Sequence, residues 1–189
     1  LTFVQGQSAE PVKTPGVFYE SVRKLKTYLE SFGTQVIMYQ TWGYPDGYTS
    51  NLKEIDCKDT YEMTQKLAAA YEAIADELNL ELSPAGSALW KIHEKYYATD
   101  PELIYVSKSN AHPSPIGTYV IALCHFATVY GVNPTNVNYK FNDYIKDASI
   151  TWHCDKRDEI TDAMRYAAKL DNARFIIDKF NDGYKFVHV

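Results

Sequence analysis

His112 stands in the run Ser107-Lys108-Ser109-Asn110-Ala111-His112-Pro113-Ser114-Pro115-Ile116-Gly117-Thr118-Tyr119, an imidazole set beside prolines and just ahead of an apolar stretch. Pro113 and Pro115 restrict the backbone on either side of Ser114, so the ring is carried on a stiff turn that feeds into a helix. Such a mounting suits a general base, because imidazole takes up and returns protons near neutral pH. The plain alternative is a turn histidine that packs or caps. A second stretch, Trp42-Gly43-Tyr44-Pro45-Asp46-Gly47-Tyr48, joins aromatic faces and a carboxylate to turn-setting glycines and a proline. It reads either as the wall of a ligand site, its rings suited to sugars, or as an Ω-loop packing its own aromatics. Trp42, Tyr44 and Asp46 are its candidate substrate contacts. Ser8, Ser87 and Ser114 are the hydroxyls nearest these stretches, and each reads first as a turn or cap residue.

The elements that would position these residues alternate. Leu1-Thr2-Phe3-Val4-Gln5 is β-rich, and Phe18, Val22, Leu25, Leu29 and Phe32 recur at helical spacing until Gly33. Gln35-Val36-Ile37-Met38-Tyr39-Gln40 is an apolar run of strand length, so the order predicts a right-handed βαβ unit in a parallel sheet. A long loop from Thr41 to Asp56 follows that strand, at the end where open α/β sheets bind ligands. Asp59 or Thr60 caps a helix with Leu67, Ala70, Tyr71, Ile74 and Leu78 on its inner face. Leu80-Glu81-Leu82 reads as a strand, Ser83-Pro84-Ala85-Gly86 as a turn, and Ser87 to Tyr97 as a helix bearing an exposed His93. Leu103 to Val106 is a last short strand, and Tyr119 to Tyr130 an apolar helix, ended by Gly131, in which His125 is a core or interface residue. Residues 133–155 read as irregular and Glu159 to Phe180 as helix, forming a C-terminal extension to a domain spanning residues 1–132.

With 189 residues, 46% of them hydrophobic, the chain suits one ordinary core, and a net charge of −5 without a basic stripe disfavours nucleic acid and anionic membrane surfaces as partners. No apolar run approaches the ~20 residues that span a bilayer. Cys57, Cys124 and Cys154 form no Cys-x-x-Cys pair and lack neighbours at zinc-ligand spacing, so neither metal nor cofactor is expected. Their odd number leaves the redox compartment open.

The strand ends Val4-Gln5-Gly6-Gln7-Ser8 and Tyr39-Gln40-Thr41-Trp42-Gly43, the Ser83-Pro84-Ala85-Gly86 turn and the His112-Pro113-Ser114-Pro115 turn, in that order, resemble the later part of an SGNH (GDSL-type) hydrolase. Most similar is a branch whose strand ends Leu-Gln-Glu-Gln-Ser, followed by Tyr-Gln-Thr-Trp-Gly and Asp-Gly-x-His-Pro-Ser-x-x-Gly-x-Tyr. The resemblance runs from Leu1 to about Tyr130. It implies a flavodoxin-like three-layer α/β/α sandwich and hydrolysis of acyl or acetyl esters, carbohydrate-linked ones included, without cofactor. His112 would be the base, Gln7 would stand where the family places an oxyanion donor, and Gln5 is the second choice, its side chain free to turn into the sheet instead.

Two departures qualify what the resemblance implies. The family aspartate three residues before the histidine is Ser109 here, and a hydroxyl can orient an imidazole without stabilising its charged form; Asn110 and the nearby backbone carbonyls could orient the ring too, but none supplies the charge. The nucleophile block is also missing, since no Gly-Asp-Ser-Leu, Gly-Asn-Ser or Gly-x-Ser-x-Gly occurs. Either a partner fragment or second chain supplies the first strand and serine, held by strand pairing or through Cys57 or Cys154, or the chain is a truncated piece; the cost of an open sheet favours a partner. A catalytically inactive binding or structural protein on the same fold is the rival reading.

Overall fold

The computed structural model describes residues 1–101, 103–107 and 110–134. Three short parallel strands form the central sheet: β1 (Thr2–Val4), β2 (Val36–Tyr39) and β3 (Glu81–Ser83), in the order β1-β2-β3. The register aligns Val4 with Met38 and Met38 with Leu82, and one row down Phe3 with Ile37 and Ile37 with Glu81. Successive side chains of a strand face opposite ways. Val4, Met38 and Leu82 therefore share a face, and Phe3, Tyr39 and Ser83 meet α6 on the other.

The first face packs against α1 (Glu10–Lys13), α2 (Pro15–Glu30), α3 (Thr49–Glu54) and α4 (Thr60–Leu78), with Phe18, Val22, Met63, Leu67, Tyr71 and Ile74 in its core. On the other side lie α5 (Ala85–Tyr96) and α6 (Pro115–Tyr130), whose Leu89, Ile92, Ile116 and Val120 pack with Ile104 and Tyr105. Both faces of β2 are covered, which is why Val36, Ile37 and Met38 are apolar without alternation. This is the expected α/β sandwich. Outside the sheet, β4 (Tyr105–Ser107) and β5 (Asn110–Pro113) form an antiparallel hairpin.

Capping chemistry fixes several helix ends. The Asp59 side chain accepts from the Glu62 N–H, and Asn79 closes α4 in the left-handed region. Ser114 caps α6 by accepting from the Gly117 N–H while its hydroxyl donates to the Leu103 carbonyl at 2.6 Å, so this serine is structural.

Several expectations need correction. His93, read as exposed among charged neighbours, is 3% exposed, because α5 turns it toward Tyr105 instead of outward with Lys91 and Glu94. Leu25 and Phe32, read as part of the apolar helical series, are 44% and 69% exposed, and Phe32 lies past the end of α2 at Glu30. Their spacing is helical, but no element among the described residues covers them. His112 lies on a strand, β5, and not on a turn, and the helix after it begins at Pro115, earlier than Tyr119. The strand expected at Leu103 to Val106 is β4, paired in the hairpin and not in the parallel sheet. Residues 135–189, with Cys154 and the C-terminal helix expected there, lie outside the described residues, as does Ser109.

Candidate functional site

Because the sheet is parallel, the loops after β1, β2 and β3 gather at one end, where open α/β sheets take their ligands. Their packing is tight and polar. Gly6 has no room for a Cβ beside Pro11 and Phe18, and its N–H donates to the Tyr71 hydroxyl at 2.8 Å. Tyr71 lies 3.4 Å from the Thr41 hydroxyl, which in turn reaches the Ser8 carbonyl at 3.5 Å. Burial pushes the Tyr71 phenol up, with the hydrogen bonds from Thr41 and Gly6 opposing, so it serves as a neutral strut. Ser8 itself is exposed and adopts φ 44, a left-handed conformation uncommon outside glycine.

After β2, Gln40 is 1% exposed and its amide is bonded to Ser87, with the Ser87 N–H at 3.3 Å from Oε1 and the Ser87 hydroxyl at 3.1 Å. Gly86 donates to the Gln40 carbonyl at 3.1 Å, and a Cβ on Gly86 would overlap the Thr41 carbonyl. These contacts lock the β2 end onto the start of α5. Ser87 is thereby spent on positioning, in keeping with its reading as a turn or cap residue.

The loop from Trp42 to Tyr48 reaches the hairpin. Trp42 Nε1 donates to the Ala111 carbonyl at 2.7 Å, the Ala111 N–H donates to the Tyr48 hydroxyl at 3.2 Å, and the Tyr105 hydroxyl donates to the Gly43 carbonyl at 2.9 Å. Both backbone groups of the residue before His112 are thus held by aromatic side chains. His112 is exposed, and its Nδ1 lies 2.7 Å from Asn110 Oδ1, which also accepts the His112 backbone N–H at 3.0 Å. The ring's orienting partner here is the Asn110 amide.

The other predicted site residues fall as follows. Gln5 and Gln7 are both exposed, so Gln5 does not turn into the sheet, and the Gln7 backbone N–H reaches Glu10 Oε2 at 3.3 Å. Trp42 and Tyr44 are partly buried, Tyr44 tilted against Tyr48 with ring centroids 5.4 Å apart. Asp46 accepts from the Thr60 N–H at 2.9 Å and hydroxyl at 2.7 Å, at the start of α4. Burial would raise its carboxyl, but hydrogen bonds from Thr60 and Tyr97 outweigh that and hold it below the usual carboxylate value. This is an anchoring role. Asn110 was named from the sequence as a group able to orient the ring, and the structure places it there; Tyr48 and Gln40 are the residues whose positioning contacts sequence reasoning passed over. A histidine flanked at i−2 by an amide, in alternating strand spacing, was the available signal for Asn110.

A second histidine cluster lies on the sheet face. His125 Nδ1 is 2.8 Å from the fully buried Ser83 hydroxyl, and the ring stacks on Phe3 and meets Tyr39 edge-on, with centroids 4.2 and 4.4 Å apart. Burial lowers the imidazole to about 4. The half-buried His125 thus serves as a neutral contact between α6 and the sheet, in keeping with its reading as a core or interface residue.

No family model and no curated protein matches the sequence. Two solved structures do resemble the fold. One, described as "a putative SGNH hydrolase from Slackia heliotrinireducens", has a TM-score of 0.53 and 24% identity, covering 65% of this chain and 61% of that one. The other, a DUF4886 family protein from Bacteroides uniformis ATCC 8492, has a TM-score of 0.61 and 18% identity, covering 98% of this chain and 65% of that one. The chain thus spans under two thirds of either neighbour's length. At these identities what is shared is the architecture, an α/β sandwich with a parallel sheet.

Proposed function

We propose that this chain provides the base-bearing part of an SGNH-type ester hydrolase. The observation that carries the reading is His112, exposed on β5 and held by Trp42 and Tyr48 through Ala111, so that it is tied to the ligand-binding end of the parallel sheet. In the reaction, a serine Oγ bonds to the acyl carbon and gives its proton to His112 Nε2. The imidazolium returns that proton to the departing alkoxide, and water then releases the acyl group by the same route in reverse. Gln7, exposed at the end of β1, would offer its amide N–H to the oxyanion, a donor whose loss costs about 10²–10³ in rate. Trp42 and Tyr44 would line the acyl or sugar side of the pocket.

The serine would come from a further strand, on another segment or another chain, added in parallel to the outer edge of β1. In support, β1 pairs only with β2 among the described residues, and Leu25 and Tyr28 on α2, with Phe32 just past its end, are exposed apolar side chains. Unpaired strand edges and exposed apolar side chains are costly to leave in water. A rival has one specific observation on its side: the ring partner of His112 is an amide and not a carboxylate, which suits a binding protein on the same fold.

The intact native protein, offered a panel of aryl esters and acetylated sugars and then an active-serine phosphonate, separates the two. Turnover, with a label mapping to a Gly-x-Ser turn that lies outside this sequence, supports the hydrolase. Neither turnover nor label on the folded protein leaves the binding reading standing.

A further inference from the structure

We infer that Asn110 is the positioning residue of His112, fixing the tautomer that leaves Nε2 as the proton acceptor. Asn110 Oδ1 lies 3.0 Å from the His112 backbone nitrogen and 2.7 Å from its ring Nδ1. A backbone N–H only donates, so the amide atom facing it is the oxygen. That same oxygen can only accept from the ring, so Nδ1 carries the proton. In a neutral imidazole with a protonated Nδ1, the lone pair is on Nε2.

The strand geometry makes this arrangement structural. Asn110 and His112 are alternate residues of β5 and point to the same side, close enough for one side chain to reach both atoms of its neighbour. Ala111 between them is clamped at both backbone groups, by the Trp42 indole at 2.7 Å and the Tyr48 hydroxyl at 3.2 Å. The peptide planes on which the pair depends are therefore held from outside the hairpin. An amide orients the ring as a carboxylate would, yet brings no charge to meet the imidazolium.

The catalytic consequence rests on the hydrolase reading, whereas the tautomer does not. The intact native protein is therefore labelled with ¹⁵N-histidine, and long-range ¹⁵N–¹H spectra are recorded at about pH 8.5, well above the ordinary imidazole range. His112 is assigned by comparison with His112→Gln. The expected spectrum has a protonated Nδ1 and an unprotonated Nε2. Asn110→Ala should shift His112 toward the Nε2–H form that free imidazole favours, and Asn110→Asp, which keeps the acceptor oxygen, should restore the original pattern. An Nε2–H tautomer in the native protein overturns the inference without reference to any variant, as does an Asn110→Ala spectrum unchanged from the native one while circular dichroism shows an intact fold. If esters are hydrolysed, Asn110→Ala should lose tenfold or more in kcat, and Asn110→Asp should regain it. If they are not, the hydrolase reading fails alone and the tautomer is judged on the spectrum.

Discussion

Trp42 holds the Ala111 carbonyl one residue ahead of His112, the proposed base, and its indole N–H rather than its ring face is what does so. Trp42→Phe keeps the aromatic surface and removes the donor. A hydrogen bond of this kind is worth about 1 kcal/mol, or roughly fivefold in rate. If the proposed ester hydrolysis holds, kcat should fall by about that factor with KM nearly constant, as for a residue that positions the reacting group and not the substrate. A raised KM with unchanged kcat would place Trp42 in the substrate wall alone. At this scale the sequence was informative about residue types and silent about pairings. His112 and the aromatic loop stood out by composition. That Tyr48 and Trp42 converge on Ala111, 63 and 69 residues away, depends on tertiary placement that no local pattern encodes. His93 misled for a related reason. Charged neighbours on a helix say little about a residue whose own direction is turned inward.

Among the elements, α6 is docked on the sheet through His125, which touches Phe3 of β1, Tyr39 of β2 and Ser83 of β3. Its imidazole, lowered by burial to about 4 from an ordinary 6.5, is neutral in the fold while the unfolded chain takes up a proton. Stability from this group is full above pH 6.5 and is lost as pH falls from there toward about 4. Burial also lowers His93, with Asp46 opposing, and adds a slope of the same sign. We expect urea midpoints to drop over this window, and His125→Gln, which retains a hydrogen-bonding group for Ser83, to flatten the drop without abolishing it. A slope identical to that of the unaltered protein would show that His125 does not carry the linkage. The helices α2 and α4 were legible from their apolar periodicity and β2 from its continuous apolar run, while β1 and β3 were placed from short β-prone segments between turn residues. The β4–β5 hairpin was not legible. Prolines at 113 and 115 argue for a turn, and Pro113 is tolerated in β5 because it is the last residue of a two-stranded ribbon.

For the molecule as a whole, the ordered motifs implied the architecture that the backbone adopts, a parallel sheet with helices on both faces, shared with two longer neighbours. Its chemistry is less legible, since the motifs of this sequence offer a candidate base in His112 and no nucleophile elbow. The residues named for the site come from the loops after β1 and β2 and from a separate hairpin; Thr41 ties the two loops together, and Trp42, Tyr48 and Tyr105 tie the second loop to the hairpin. Whether that meeting makes an active site turns on His112. The most direct measurement is the rate of phosphonate labelling of the intact protein, compared with that of a folded His112→Ala variant. If His112 is the base of a serine hydrolase, labelling of the native protein should be slowed roughly 10⁴-fold or more by the substitution. Labelling that proceeds at the same rate in His112→Ala would contradict it.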